Sequence, residues 1–277
     1  MELNCLSRAS PRGAECFGVT SFRTALLMNS TAPEIHAAQA ELAEAHRRTN
    51  ALAYFSRRMA HDLSNFLTVI RTYSELMLAD LPQDHPNRAD LDEIAQAADT
   101  TVAYMQRCSA FGRAASSKAA PLELDTLLAD VIRQEQLAST VPLTSAGASN
   151  ARVHMNAAVL AEALHELIHN AREASPAGIV IRVDQIAVDA ERIDAGVPIG
   201  AGPWAIIDVI DNGAGIHESV ATNLFDPFVT TKNGVRGAGL GLAIARAAAW
   251  AAGGQLTIQH ANGETVCRMY LPVLPRD

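Results

Sequence analysis

Two hydrophobic rhythms divide this chain. Between Pro33 and Pro82 no proline interrupts the sequence, and large apolar residues return every seven positions. Leu52, Met59, Phe66 and Tyr73 form one series; Leu63, Ile70 and Met77 form a second, offset by four. Such a stripe is the seam of a coiled coil or four-helix bundle, and Ser56 is the one lapse in it. Thr31 as cap, with Pro33 and Glu34 behind it, marks a helix start. A helix from there to Leu81 would be roughly 65–70 Å long. Pro82 and Pro86 end it. Helical spacing resumes over 87–112 through Leu91, Ile94, Ala98, Val102, Met105 and Cys108. The result is a helical hairpin. Two helices bury little alone, so a homodimer that completes four helices is expected.

The second rhythm mixes periods. Residues 122–136, 156–173 and 238–252 carry helical spacing. Residues 179–188, 204–210, 255–259 and 265–271 alternate or are rich in β-branched types, which predicts strands. Strands gathered with helices on one side give an α+β two-layer sandwich. The expected organisation is a poorly ordered tail over 1–33, with a short helix near 22–28, and the hairpin over 34–113. A small, polar linker over 114–120 and the sandwich over 121–277 complete it.

Composition narrows the classes. The chain has 277 residues, 49% of them hydrophobic and only 5% aromatic, so it folds around an aliphatic core. A net charge of −8, with no basic patch, argues against nucleic acid as a partner. Cys5, Cys16, Cys108 and Cys267 lie far apart, as free thiols in a reducing compartment do. No apolar run is long enough for a membrane span, and the N-terminus lacks a signal peptide's apolar stretch. A cytoplasmic protein is expected, reached by its signal inside the cell or through an upstream sensor protein.

Five short motifs carry chemistry. His61-Asp62-Leu63-Ser64-Asn65 lies on the long helix, with His61 midway between seam residues Met59 and Leu63. That spacing turns its imidazole outward, with Asn65 one turn on; the plain alternative is a solvated histidine. A neighbouring carboxylate orients such a ring and takes its proton. Glu166 and Asn170 share one face of an amphipathic helix, and an amide oxygen with a carboxylate suits Mg²⁺. Alone they read as an ordinary polar face with Glu166 and Arg172 solvated. His165 and His169 also stand four apart, but no third metal ligand is evident. Asp211-Asn212-Gly213-Ala214-Gly215 closes an apolar strand, where a carboxylate can accept from an exocyclic amine and a tight turn is the plain alternative. Phe225-Asp226-Pro227-Phe228 precedes Thr231, Lys232 and Arg236 in a loop of about nine residues, either a lid over phosphates or a packed corner. Finally, Gly237-Ala238-Gly239-Leu240-Gly241-Leu242 opens a helix whose first amides can face an anion.

In this order the motifs closely resemble the H, N, first glycine, F and second glycine boxes of sensor histidine kinases of two-component systems, over roughly residues 40 to 273. The resemblance implies a dimeric phosphoacceptor hairpin and a Bergerat-type (GHKL) ATP-binding domain. His61 would accept phosphate with Asp62 as general base. Asn170 would hold Mg²⁺, and Glu166 would orient metal-bound water or assist proton transfer. Asp211 would bind adenine of ATP. Gly213, Gly215, Gly237, Gly239 and Gly241, with Leu240, Phe228, Thr231 and Lys232, would line the nucleotide and its lid. Asn65 would hold the water that attacks a phosphorylated partner. The partner implied is the receiver domain of a separate response regulator, since no receiver follows here. Three departures stand out: no sensor module beyond the short tail, Asn156 where relatives carry aspartate, and a short turn before the last strand. A dimeric scaffold or pseudokinase without turnover is the alternative; so is an ATPase of the gyrase, chaperone or mismatch-repair type, but those lack the outward histidine.

Overall fold

A computed structural model describes residues 31–175, 177–231 and 237–275. Residues 1–30 of the tail, with its short helix, Cys5 and Cys16, and also Lys232 and Arg236, lie outside the described residues; Ala32 and Pro33, expected in the tail, already open the first helix. The hairpin consists of α1 (Ala32–Asp80) and α2 (Arg88–Ser116). Thr31 begins α1 as its capping sequence predicts: the Glu34 carboxylate accepts from the Thr31 backbone N–H and hydroxyl, both at 2.8 Å. α2 runs to Ser116, into the stretch expected as linker. Ala114 is fully buried there, and alanine keeps a helix going wherever packing supports it.

The hairpin does not pack along the seam that the heptads predict. Small residues of α1 are buried instead: Thr49, Ala53, Ser56, Ala60 and Ser74. Ser56, the lapse in the apolar series, is one of the contacts. On α2, Gly112 comes so close that a Cβ there would lie 2.4 Å from the Arg57 Cβ and 2.9 Å from the Ala53 carbonyl oxygen. The seam stays open, with Phe66 66% exposed, Tyr73 64% and Met77 53%.

Beyond the hairpin run β1 (Ala120–Glu123), α3 (Leu124–Ala138), β2 (Leu143–Ala146), β3 (Arg152–Met155), α4 (Ala157–Ala174) and β4 (Ile179–Val188). Then follow β5 (Arg192–Asp194), β6 (Val197–Ile199), β7 (Gly202–Asp211), the single turn α5 (Glu218–Ala221), α6 (Gly241–Ala251), β8 (Gln255–Ala261) and β9 (Glu264–Pro272). The main sheet has the order β2-β4-β7-β9-β8, antiparallel except for β2 beside β4. This is the helical hairpin followed by an α+β two-layer sandwich that the residue pattern predicts. Four of the strands match that pattern closely; β1, β2, β3, β5 and β6 are additions of three or four residues each.

Helices α4 and α6 pack together over one face of the sheet. Leu160, Leu164, Ile168, Ile181, Ile207 and Ile244 are fully buried between them. The same core takes in Phe111 and Ala114 at the end of α2. On the opposite face the β5–β6 hairpin covers a small cluster of Val188, Ile199, Trp204, Ile206 and Tyr270. Tyr270 donates to Asp194 at 2.6 Å there. In the sheet itself Arg268 grips Asp208, only 2% exposed, through two bonds of 2.7 and 2.8 Å. α1 also touches the sandwich: Gln39 donates to Glu191 at 2.5 Å, and His46 packs against Trp250 with ring centroids 4.9 Å apart and planes tilted by 44°.

Candidate active site

Four elements converge on one cavity of about 440 Å³. α4 contributes Asn170, β7 contributes Asp211, the start of α6 contributes Gly241, and the turns between β7 and α6 contribute Gly215, Thr231 and Gly239. Asn156 starts α4 as its N-cap, accepting from the Val159 N–H at 3.2 Å and donating to the Lys118 carbonyl. The Asn-for-Asp difference therefore serves packing and capping. One turn apart on α4, Glu166 and Asn170 both face the first residue of α6: a Cβ at Gly241 would lie 2.7 Å from Glu166 Oε2 and 3.2 Å from the Asn170 amide nitrogen. Gly241 thus keeps open a small cradle at the N-terminal end of α6, where free amides favour anions.

Asp211 ends β7 at 6% exposure. Burial raises its carboxyl above the ordinary range; bonds from the Gly213 amide (2.8 Å) and the Thr265 side chain, and the nearby His260, pull the other way. Beside it, Cys267 also lines the cavity, its thiol pushed up to about 12 by burial and by Asp208 and Asp211. It stays protonated at neutral pH.

The lid anchor differs from expectation. Phe228 does not line the cavity; the residue is 54% exposed and its backbone sits at φ 70°. Its N–H donates to the Gly239 carbonyl at 2.9 Å, and at Gly239 (φ 69°) a Cβ would lie 2.5 Å from the Phe228 carbonyl carbon. Phe228 therefore pins the loop by its backbone, which only a glycine opposite permits. Val229, Thr230 and Thr231 supply the cavity wall in its place. Leu240 is wholly buried in the core and Gly237 is buried behind the turn, so neither lines the cavity. Gly213 supports Asp211 from behind.

A second cavity opens on the hairpin. His61, Asn65 and Glu166 line it together, across the boundary between hairpin and sandwich. The His61 side chain is 74% exposed, and its Nδ1 lies 3.1 Å from Asp62 Oδ1. The bond with His61 holds the Asp62 carboxyl below its usual range, and Arg58 at 3.2 Å acts in the same sense. Asp62 itself stands outside the cavity lining.

Glu166 and Arg172 are not solvated. Arg172 pairs with Glu135, which also receives His165, and His169 sits 3.2 Å from Glu173. These pairings leave no histidine metal pair, and no His/Cys/Asp/Glu group fit to hold a metal occurs among the described residues. Glu166 is gripped by Arg107 of α2, through bonds of 2.9 and 2.7 Å. Arg107 lines both cavities. Nothing in the residue pattern singles it out, because a lone cation beside Met105 and Cys108 reads as a solvated position. Only the fold brings it to a partner 59 residues away.

Comparison with known proteins accords with this geometry. Residues 155–275 match the family described as histidine kinase-, DNA gyrase B-, and HSP90-like ATPase. Across 82% of its length the chain is 27% identical to the sensor kinase CckA of Brucella abortus, covering 25% of that protein. It is 28% identical to the C4-dicarboxylate transport sensor protein DctS of Rhodobacter capsulatus, over 82% of this chain and 34% of the relative. To the sensory histidine kinase/phosphatase NtrB of Rhodobacter capsulatus it is 25% identical, over 79% and 61% respectively. The chain is related to bacterial two-component sensor histidine kinases. It spans between a quarter and about three fifths of the length of these curated relatives. In fold it is similar to full-length ShkA, solved in complex with AMPPNP, with a TM-score of 0.55 and 22% identity over 80% of this chain and 45% of that one. The sandwich is accordingly of the GHKL type. No helix among the described residues is long and apolar enough to cross a membrane.

Proposed function

We propose that the chain is an ATP-dependent protein histidine kinase that phosphorylates His61 and passes the phosphoryl group to an aspartate on the receiver domain of a separate response regulator. The observation that carries this reading is the meeting of the two cavities: the one lined by His61 adjoins the one lined by Asn170 and Asp211, with Glu166 and Arg107 between them. Adenine lies against Asp211, whose carboxylate accepts from the exocyclic amine, and the phosphates run toward the start of α6. Asn170 and Glu166 are hard donors converging on the cradle at Gly241, a set that fits Mg²⁺. When bound, the ion neutralises phosphate charge.

The imidazole is set for attack through Nε2, because Nδ1 is engaged by Asp62. The Nε2 lone pair forms the bond to the γ-phosphorus while the bond from that phosphorus to the β–γ bridging oxygen breaks, its electron pair leaving on ADP. The Nδ1 proton passes to Asp62, which is ionised at neutral pH. Most of the acceleration comes from positioning, as in other phosphoryl transfers. Incubation with γ-labelled ATP is expected to label the protein through an acid-labile, base-stable bond. Retention of label in His61→Ala would end the assignment.

The open seam of α1 supports a homodimer in which two hairpins form a four-helix bundle. Asn65 shares the His61 cavity one turn along α1, which supports a second, phosphatase reaction on the phosphorylated receiver. In that reaction the Asn65 amide holds the attacking water, and Asn65→Ala lengthens the lifetime of the phosphorylated partner. An unchanged lifetime removes that role.

A further inference from the structure

The nucleotide cavity has a charge problem. Its described lining includes two carboxylates, Glu173 and Asp211, and a single arginine or lysine, Arg107. Among the described residues a triphosphate entering it meets one arginine or lysine, and that cation comes from α2 of the hairpin rather than from the sandwich. It stands at the phosphate end, because its partner Glu166 abuts Gly241 at the start of α6. Arg107 is also the one described residue common to the linings of the nucleotide and His61 cavities.

Its present bonding suits an exchange. Both terminal nitrogens are spent on the two oxygens of Glu166, at 2.9 and 2.7 Å, with the side chains 18% and 14% exposed. A guanidinium binds a phosphate with the same two-pronged geometry as a carboxylate. On the reading of this chain as a histidine kinase, we propose that Arg107 is a phosphate-binding residue: the γ-phosphoryl group of ATP displaces Glu166 from it. The exchange holds that phosphoryl group at the passage toward His61 and at the same moment frees the Glu166 carboxylate. It requires the hairpin to be docked on the sandwich, so the docked arrangement recognises the nucleotide by its third phosphate. ADP lacks the group that makes the exchange and leaves the pair intact.

Full-length Arg107→Ala and Arg107→Lys test this with two readouts. In equilibrium binding, Arg107→Ala loses about tenfold in affinity for AMPPNP and no more than about twofold for ADP. Autophosphorylation by γ-labelled ATP slows at least about 100-fold. Arg107→Lys keeps the ion pair and the fold, and recovers part of both, since a lysine supplies the charge without the fork. Labelling at or above the wild-type rate in Arg107→Ala would overturn the proposal, making the pair a brake that holds Glu166. Equal losses for ADP and AMPPNP in both variants would overturn it as well, by marking a general loss of structure. If the wild-type chain itself takes no label on His61, the kinase reading fails, and the ratio of AMPPNP to ADP affinities then decides on Arg107 alone.

Discussion

Helices α1 and α6 are built on opposite plans. α6 has 11 residues, and eight of them are buried; its apolar character is spent inside the chain. α1 has 49 residues and buries five, all small or hydroxyl-bearing, while Leu52, Phe66, Ile70, Tyr73 and Met77 face outward. A sandwich helix of this kind is finished by its own sheet. Among the described residues nothing covers the apolar stripe of the hairpin, and a regular seven-residue repeat of this kind is what a second helical seam fits. On the proposed homodimer, stability resides mainly in the sandwich and assembly in the hairpin.

Substitutions that strike each plan separate the two. Arg268→Ala leaves Asp208 charged, buried and unpaired, and is expected to cost about 3–5 kcal/mol in urea unfolding; Arg71→Ala, which breaks only exposed pairs with Glu75 and Asp99, costs less than about 1 kcal/mol. Equal costs would erase the contrast. Ile244→Ala in α6 comes next, at about 2–5 kcal/mol, against about 0.5 kcal/mol for Phe66→Ala in the unimolecular transition. Phe66→Glu should instead halve the mass seen by light scattering while the sandwich still unfolds at nearly the wild-type urea concentration.

Asp211 gives a smaller, pH-dependent signature. Burial raises its pKa above the ordinary 3.8, so the ionised acceptor is lost earlier on acidification than in a free aspartate. Nucleotide affinity should fall by about 10-fold or more as pH drops through that raised value, and Asp211→Asn should be weaker but flat over the same range. The linked effect on folding has the opposite sense: stability from this group is present below its unfolded pKa and is lost as pH rises through the folded one. The smallest effect belongs to Asn156→Ala. Removing that cap should cost about 1 kcal/mol of thermal stability, and nucleotide binding should stay within about twofold, since the residue touches no part of the cavity.

How much of this was legible beforehand depends on distance along the chain. The start of α1 could be read because Thr31, Pro33 and Glu34 act within one turn. β4 could be read to the residue because alternation sustained over ten positions has one explanation. Asn170, Asp211, Gly239 and Gly241 share a cavity as their motifs suggested, each motif being local and each carrying its own backbone constraint. The β5–β6 hairpin was hidden because its strands have three residues each and no period can develop. The choice of small residues over large ones inside the hairpin was hidden too: heptads report which residues need a partner, not which partner they find. Phe228 misled because an aromatic invites a role for its ring, whereas its amide makes the contact. Arg107 was silent for the plainest reason, its meaning being a distance in space.

The length of α1 has one more consequence. Its first turn lies some thirty residues before His61, about 45 Å along an uninterrupted rod. On the way that rod is fastened to the sandwich at Gln39 and His46. A twist applied near Thr31 cannot reach the imidazole without also pulling on the body that faces it, so His61 and the cavity at Asp211 are geared to a common shaft.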